Sequence, residues 1–424
     1  MSENTTKNAE IYAPEPTCNK IFGDGFSIPD LNYETHPVKR STSADFAERM
    51  RLGWNLGNSL DACLVSEEMK AEFSGLDTEL CWSNPRTTRA MLHDIRTAGF
   101  DTIRIPVSWH DHFLSVNTST IISGAVSCDN SGTPQNATGP DSHYTIDPAW
   151  MDRVAEVVDW ALEEGFYVFL NTHHDISRDA ICPTPEKREQ SLLFIRRVWE
   201  QIAARFKAYD EKLVFEAMNE PRVPGSKYEW DTDLSVEECT TAISIINELN
   251  QAFVDVVRSS GGNNTDRFLV VACYANAVEN ALSDVFKMPS DPTAEHLILA
   301  VHCYRPVRFA FLLKDHESSV DFDPYDENDT EKVSTLAKQV YEKFITNGIP
   351  VVIDEFGAVY KENQQARINY LAYHTAICRS YGITCHLWDN GNLLSAGDGM
   401  AIYDRTNGYF PDETIVEALV RYAK

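Results

Sequence analysis

Eight short apolar runs, helical periodicity between them, and polar residues at most of their downstream ends predict a (β/α)8 TIM barrel. The runs cover 52–56, 102–107, 167–171, 213–218, 268–273, 297–304, 350–355 and 382–388. Most are continuous rather than alternating, as strands covered on both faces should be. Eight strand–helix units over about 375 residues suggest a sheet closed on itself. An open doubly wound sheet is the other arrangement, but no Gly-x-Gly-x-x-Gly follows a strand, so a dinucleotide fold has little support.

The intervening segments are read in order. Met91, Leu92, Ile95 and Ala98 share one helical face, and Gly99 follows as a stop. Trp150, Val154, Val157, Val158, Ala161 and Leu162 repeat the pattern ahead of Gly165. Ile243, Ile246, Leu249, Phe253, Val256 and Val257 precede Gly261 and Gly262, and Val333, Leu336, Val340 and Phe344 precede Gly348. Each is a 3.6-residue period closed by a glycine C-cap signal. The helical signal is weakest between the fifth and sixth runs. Residues 1–45 are polar, carry four prolines and lack a period, so they read as an arm that wraps or frays; 46–424 reads as one (β/α)8 domain. Segments 115–147 and 305–331 read as long barrel loops.

The chain has 424 residues, 64 acidic against 37 basic, for a net charge of −27. That field argues against nucleic acid or an anionic membrane as a partner. No apolar run is long enough to span a bilayer, and the start, Met-Ser-Glu-Asn-Thr-Thr-Lys, lacks an apolar stretch and reads as carrying no export signal. The ten cysteines form no Cys-x-x-Cys pair, which disfavours zinc ribbons and thioredoxin chemistry. Cys273, Cys303 and Cys385 fall in strand-like runs and read as small core residues.

Barrel chemistry sits at the C-terminal ends of strands. The first run ends with Asn55 and Asn58, the second holds Arg104, and the third ends Asn171-Thr-His-His-Asp175. The fourth ends Met218-Asn-Glu-Pro221, the sixth holds His302 and Tyr304, the seventh ends Ile353-Asp-Glu-Phe-Gly357 and the eighth Leu387-Trp-Asp-Asn-Gly391. This polar ring surrounds Glu220 and Glu355 on strands that face each other. Two carboxylates across a cleft are what glycoside hydrolysis requires, about 5–5.5 Å apart if configuration is retained. Arg104 would keep Glu355 ionised, Glu220 must hold a proton near neutral pH, and Trp388 offers an apolar face for a sugar ring.

A single glutamate near a strand end is more often an ion-pair partner than a catalyst. Seven strand ends with compatible groups shift that balance. Adjacent histidines on a strand point to opposite faces, so His173 and His174 are not expected to chelate one ion. His110 and His112 have same-face spacing and could open a metallohydrolase site with His173, but they lie beyond Pro106 and no carboxylate–histidine set completes it. Trp54, Trp150, Trp160 and Trp199 read as packing residues. Trp82, Trp109, Trp230 and Trp388 lie in or beside loops, where sugar stacking is plausible. Ser59 lacks a Gly-x-Ser-x-Gly context.

The ordered set Gly53-Trp-Asn-Leu-Gly-Asn-Ser-Leu-Asp61, Ile103-Arg-Ile-Pro-Val-Ser-Trp109, Asn171-Thr-His-His-Asp175, Glu216-Ala-Met-Asn-Glu-Pro221, Val301-His-Cys-Tyr304, Val352-Ile-Asp-Glu-Phe-Gly357 and Trp388-Asp-Asn-Gly391 resembles family 5 glycoside hydrolases from about residue 48 onward. With Thr78-Glu-Leu-Cys-Trp-Ser-Asn-Pro85 it most resembles subfamily 4, which holds endo-β-1,4-glucanases, xyloglucan- and mixed-linkage-glucan-active enzymes and some xylanases. The resemblance implies a TIM barrel and a retaining mechanism without a cofactor or metal. It implies Glu220 as acid/base, Glu355 as nucleophile, Asn219 on the sugar 2-hydroxyl, and Arg104 and Tyr304 holding Glu355. His173 and His302 would line the same subsite above Trp388, with His174, Trp82, Asn58 and Asp389 contacting substrate further along. Two departures touch the cleft rim: Ile176-Ser177 stand where aromatic residues are expected, and the second loop is long.

The reading is therefore retaining endo-hydrolysis of a plant-type β-glucan such as cellulose, xyloglucan or mixed-linkage glucan. The alternatives are a xylanase or mannanase on the same scaffold, a metal-dependent barrel hydrolase, or a non-catalytic glycan-binding barrel. A monomer is expected. The family acts mostly outside cells, so an extracellular location is expected from the resemblance, while the start of this chain leaves a cytoplasmic one open.

Overall fold

The computed structural model describes residues 25–114, 143–178, 180–313, 317–394 and 397–424. Eight parallel strands close into a barrel in chain order: β1 (Leu52–Leu56), β2 (Thr102–Ile105), β3 (Tyr167–Asn171), β4 (Leu213–Glu216), β5 (Leu269–Ala277), β6 (Leu297–His302), β7 (Val351–Phe356) and β8 (Thr384–Asp389). Helix α1 (Thr42–Ala47) precedes β1, and the short α2 (Glu67–Glu72) and α3 (Arg89–Ala98) follow it. Then come α4 (Pro148–Glu163), α5 (Arg188–Arg205), α6 (Glu237–Ser259), the four-residue α7 (Val278–Ala281) and α8 (Val307–Ala310), α9 (Glu327–Lys343), α10 (Gln364–Ser380) and α11 (Glu413–Ala423). All eight strands fall on the expected runs. The weak helical signal after the fifth run corresponds to α7, a single turn. Loop 115–147 lies largely outside the described residues, and loop 305–331 contains α8 and the first turn of α9.

Local signals fix the helix ends. Thr88 caps α3 by accepting from the Met91 amide, and Gly99 ends it at φ +114°, a conformation that favours glycine. Asp147 caps α4 just ahead of Pro148, whose missing N–H costs nothing at that position.

Alternate residues of each strand face the barrel axis. At the N-terminal end these are apolar: Phe169, Val214, Val270, Ala300 and Val352 cluster with Phe46, Ala47 and Met50 from α1 and its exit. Phe46 stacks on Phe268 at 3.8 Å between ring centroids. So α1 plugs the barrel floor, and the expected arm boundary at residue 45 falls inside this plug. Upstream, the arm from Gly25 wraps the same end. The His36 amide donates to the Ser380 carbonyl at 2.8 Å, and the His36 ring stacks on Tyr381 at 4.2 Å.

Candidate active site

Two residues beyond the apolar layer, the inward positions turn polar. Asn55, Arg104, Asn171, Glu216, His302 and Asp354 are all buried there. Arg104 is the hub. Its Nε and Nη2 donate to the two oxygens of Glu216, both at 2.7 Å. Nη1 donates to Glu355 Oε1 at 2.7 Å and to Asn55 Oδ1 at 3.1 Å, and Nη2 donates to Asn219 Oδ1 at 2.8 Å. A fully buried guanidinium is tolerable only with this density of acceptors.

Glu355 is clamped from two sides, since the Tyr304 hydroxyl donates to Oε2 at 3.0 Å. Asp354 also faces Arg104, at 3.4 Å. Neighbouring strand residues should point to opposite faces. The reason both reach one cation is that β7 shifts register against β6 beside His302 and against β8 between Ile353 and Phe356. Such irregularities re-aim side chains at barrel rims.

Glu220 lies past the end of β4 with φ +44°, an unusual conformation for a non-glycine residue. Its amide donates to Asn276 Oδ1 at 2.9 Å, and its carbonyl accepts from Arg222 Nη1 at 3.1 Å. Its carboxylate meets His302 Nδ1 at 3.0 Å and Arg222 Nη1 at 3.6 Å. Oxygens of Glu220 and Glu355 come within 4.8 Å of each other. That suits the short carboxyl separation of retaining chemistry rather than the ~6.5–9.5 Å of inversion.

Protons are distributed differently from the expectation. Burial works to raise the Glu220 carboxyl, but the His302 hydrogen bond and charge, followed by Arg222, hold it below its ordinary value. Burial likewise opposes charge on His302, but Glu355, Asp354 and Glu220 prevail and raise it to about 9. Burial pushes Asp354 up to about 7, against the pull of Arg104. The resting proton therefore belongs to His302, one hydrogen bond away from Glu220, rather than to Glu220 itself.

His173 Nδ1 faces the Asn171 amide nitrogen at 3.1 Å. The amide orientation is fixed because Asn171 Oδ1 accepts from the Val107 amide and Nδ2 donates to Glu216. The ring's proton is thereby assigned to Nε2, and burial together with His174 and Arg104 keeps the ring neutral. Contrary to the strand-alternation expectation, His173 and His174 both turn toward Asp61, with Nε2 at 4.0 and 3.6 Å from Oδ2. They lie beyond β3, where the two-residue period no longer holds. The Asp61 oxygens also accept the Asn58 and Ser59 amides, so a hydrogen-bonding role suits this set better than a metal.

Trp388 lies parallel to His173, with ring centroids 5.7 Å apart. Trp82 lies 5.2 Å from His174 and donates from Nε1 to the Cys63 carbonyl at 3.0 Å. Asn58 is partly exposed beside them at φ +57°. Asp389 does not join the cleft. It is fully buried, accepts the Gly391 and Ile402 amides at 2.9 Å and pairs with Arg405 at 3.0 Å, so it shapes the loop after β8 and leaves no face for a sugar.

Trp109 is also buried, donating to the Asn171 carbonyl at 3.0 Å, which removes it from the stacking candidates. His110 and His112 sit on a 3-10 turn rather than a strand, and their rings diverge. His110 contacts Asp175 at 3.2 Å, while His112 stacks on Trp150 at 3.6 Å. They make no joint site with His173. The residues missed by sequence reading are Glu216, Asp354 and Arg222. The first two are the inward positions of their strands at the level of Arg104. Arg222 follows Pro221 and carried no signal.

The sequence matches the cellulase family, glycosyl hydrolase family 5, over residues 65–393. Endoglucanase 1 of Ruminococcus albus is 36% identical over 404 residues, 94% of this chain and 86% of that protein. A glycoside hydrolase 5 lichenase from Caldicellulosiruptor sp. F32, solved as a mutant with cellotetraose, aligns with a TM-score of 0.85 at 36% identity, covering 94% of this chain and all of that one. A broad-specificity endoglucanase from Ruminococcus champanellensis with bound cellotriose aligns at 0.76 and 32% identity, covering 91% of this chain and all of that one.

Proposed function

This chain belongs to glycosyl hydrolase family 5, and from that premise we infer that Glu355 and Glu220 carry out its retaining endo-hydrolysis of β-1,4-glucan. The observation behind the assignment is the clamp on Glu355. Arg104 and Tyr304 each take one of its oxygens as acceptor and hold it beside Glu220.

Glu355 attacks the anomeric carbon while Glu220 protonates the leaving oxygen. A glycosyl–Glu355 ester forms and the bond to the leaving sugar breaks. Glu220 then takes a proton from water, which opens the ester and restores Glu355. The proton for the first step is stored on His302. A bound sugar removes water from Glu220, burial raises the carboxyl, and the proton crosses the 3.0 Å hydrogen bond. Asn219, whose oxygen is held by Arg104, presents its amide nitrogen to the sugar 2-hydroxyl. Neutral His173 and Trp388 line the same subsite, with His174, Trp82 and Asn58 further along. We infer that the enzyme acts outside the cell, on glucan polymers too large to enter it. No helix among the described residues is long and apolar enough to cross a membrane.

The test is Glu355→Ala with added azide. Activity should be lost and then partly return with an inverted glycosyl azide as product. A folded variant with no rescue would remove Glu355 from the nucleophile role. A reducing-sugar assay over cellulose, xyloglucan, mixed-linkage glucan, xylan and mannan ranks the substrates, and preference for xylan or mannan would revise the substrate class.

A further inference from the structure

Behind the strands that carry His302 and Glu355, α10 presents His374 and Cys378 to β8. Four residues apart on a helix, they share one face. Cys385, on β8, meets them. His374 Nδ1 lies 3.8 Å from Cys378 Sγ and 3.8 Å from Cys385 Sγ, and one donor atom from each residue falls within 4.8 Å of the others. The thiol of Cys303, just past β6, also faces the His374 ring. All four residues are buried.

We propose that His374, Cys378 and Cys385 form a zinc site that staples α10 to the barrel wall.

Three physical points carry this. First, the spacing fits three corners of a coordination tetrahedron. With Zn–S about 2.3 Å and Zn–N about 2.0–2.1 Å, the sulfur–nitrogen edges are roughly 3.5–3.6 Å. The two 3.8 Å separations need only a slight contraction. Second, the imidazole is otherwise poorly served. Nε2 has no hydrogen-bond partner, the ring stacks on Phe356 at 4.4 Å, and the polar groups at Nδ1 are thiols, which are weak donors and acceptors. Third, the charges close. Binding releases one proton from each of Cys378 and Cys385 and leaves His374 neutral, with no proton on the ligating Nδ1. A zinc ion with two thiolates and a neutral imidazole is neutral overall, which a dry interior accepts. The pattern His-x3-Cys-x6-Cys is not a ribbon spacing, so the absence of Cys-x-x-Cys pairs does not bear on it.

The test uses the full chain expressed with zinc supplementation under reducing conditions and dialysed natively against EDTA. Elemental analysis and native mass spectrometry should find about one zinc per chain in the wild type and less than about a tenth of that in Cys378→Ser/Cys385→Ser. Equal zinc in both proteins places the ion elsewhere and overturns the proposal. So does a wild type free of zinc, or one lighter by two hydrogens with Cys378 and Cys385 joined as a disulfide. Should the double variant not fold, the wild type refolded with cobalt(II) decides. Thiolate-to-cobalt charge transfer and strong visible bands support a tetrahedral sulfur site, and their absence overturns it.

Discussion

Two consecutive layers inside the barrel differ completely in character. The floor layer holds Phe169, Val214, Ala300 and Val352 around the plug residue Phe46. Two residues further along the same strands stand Asn171, Glu216, His302 and Asp354 around Arg104. The strand geometry is shared, so the difference lies in how each layer is held. The floor loses water and gains dispersion contacts, an interaction without direction. The upper layer holds buried charges whose burial is tolerable only while every partner remains in place. Apolar packing and the charged layer that holds the proposed catalytic carboxylates are thus separated by one strand repeat, about 6.6 Å.

The largest effect should come from breaking the upper layer. Arg104→Met leaves Glu216 without its bidentate partner and frees one oxygen of Glu355. A loss of about 10³-fold or more in kcat/KM is expected, along with about 3–5 kcal/mol of stability. Adding Glu216→Gln should recover part of the stability, read by urea denaturation, and none of the activity. Full recovery of activity would mean that Arg104 serves folding alone. Phe46→Ala makes the complementary break in the floor. It should cost about 3–5 kcal/mol, while kcat/KM measured well below the melting point stays within about twofold. A large drop in kcat/KM would show that the two layers are coupled.

The sequence exposed these layers unequally. The strands and their polar ends were readable because buried parallel strands are continuous apolar runs and barrel chemistry follows their ends. Glu220, Glu355, Arg104, His173, His302, Tyr304 and Trp388 all come together at the upper end. The proton arrangement was not readable, because it depends on distances: His302 faces three carboxylates, which no spacing rule reports. Nor was the paired approach of Asp354 and Glu355 to Arg104, which needs a register shift that contradicts strict alternation. Asp389 was misplaced because a strand-end carboxylate looks alike whether it faces a cleft or caps backbone amides. Helix α10 left no clean stripe because it is buried on most of its faces, with Tyr33 edge-on to Tyr373 and α11 alongside.

The layers should also differ in their response to pH. His302 is raised to about 9, so its contribution to stability is present below its unfolded value near 6.5 and is lost as pH rises through 9. Asp354, raised to about 7, adds the same sign at lower pH. The folded chain keeps a proton that the unfolded chain releases between about 4 and 7, so stability falls across that interval too. His302 should contribute on the order of 3 kcal/mol to the stability lost from pH 6.5 to 9, and His302→Gln should remove that share and leave the slope from His110 and His374, which are raised as well. Phe46→Ala should shift the whole curve down without changing its slope. A His302→Gln profile parallel to wild type would place the resting proton elsewhere.

The smallest effect should appear at the rim of the proposed substrate cleft, above the charged layer. Gly57 follows β1 directly beneath Trp388. A β-carbon there would lie 2.8 Å from two atoms of the Trp388 ring and 2.9 Å from the Asp389 carbonyl. The carbonyl is backbone, and it already accepts the Gly57 amide at 3.1 Å, so it cannot retreat without disturbing the link between β1 and β8. The ring can tilt, and the conflict resolves there. Gly57→Ala should therefore tip the Trp388 platform while leaving Glu355, Arg104 and Tyr304 in register. Binding should suffer more than chemistry, with KM for a soluble β-glucan rising about tenfold, or ~1.4 kcal/mol, and kcat changing less. A matching fall in kcat would mean that Trp388 orients the sugar for attack as well as holding it, and the rim would then belong to the same all-or-none set as the charged layer below it.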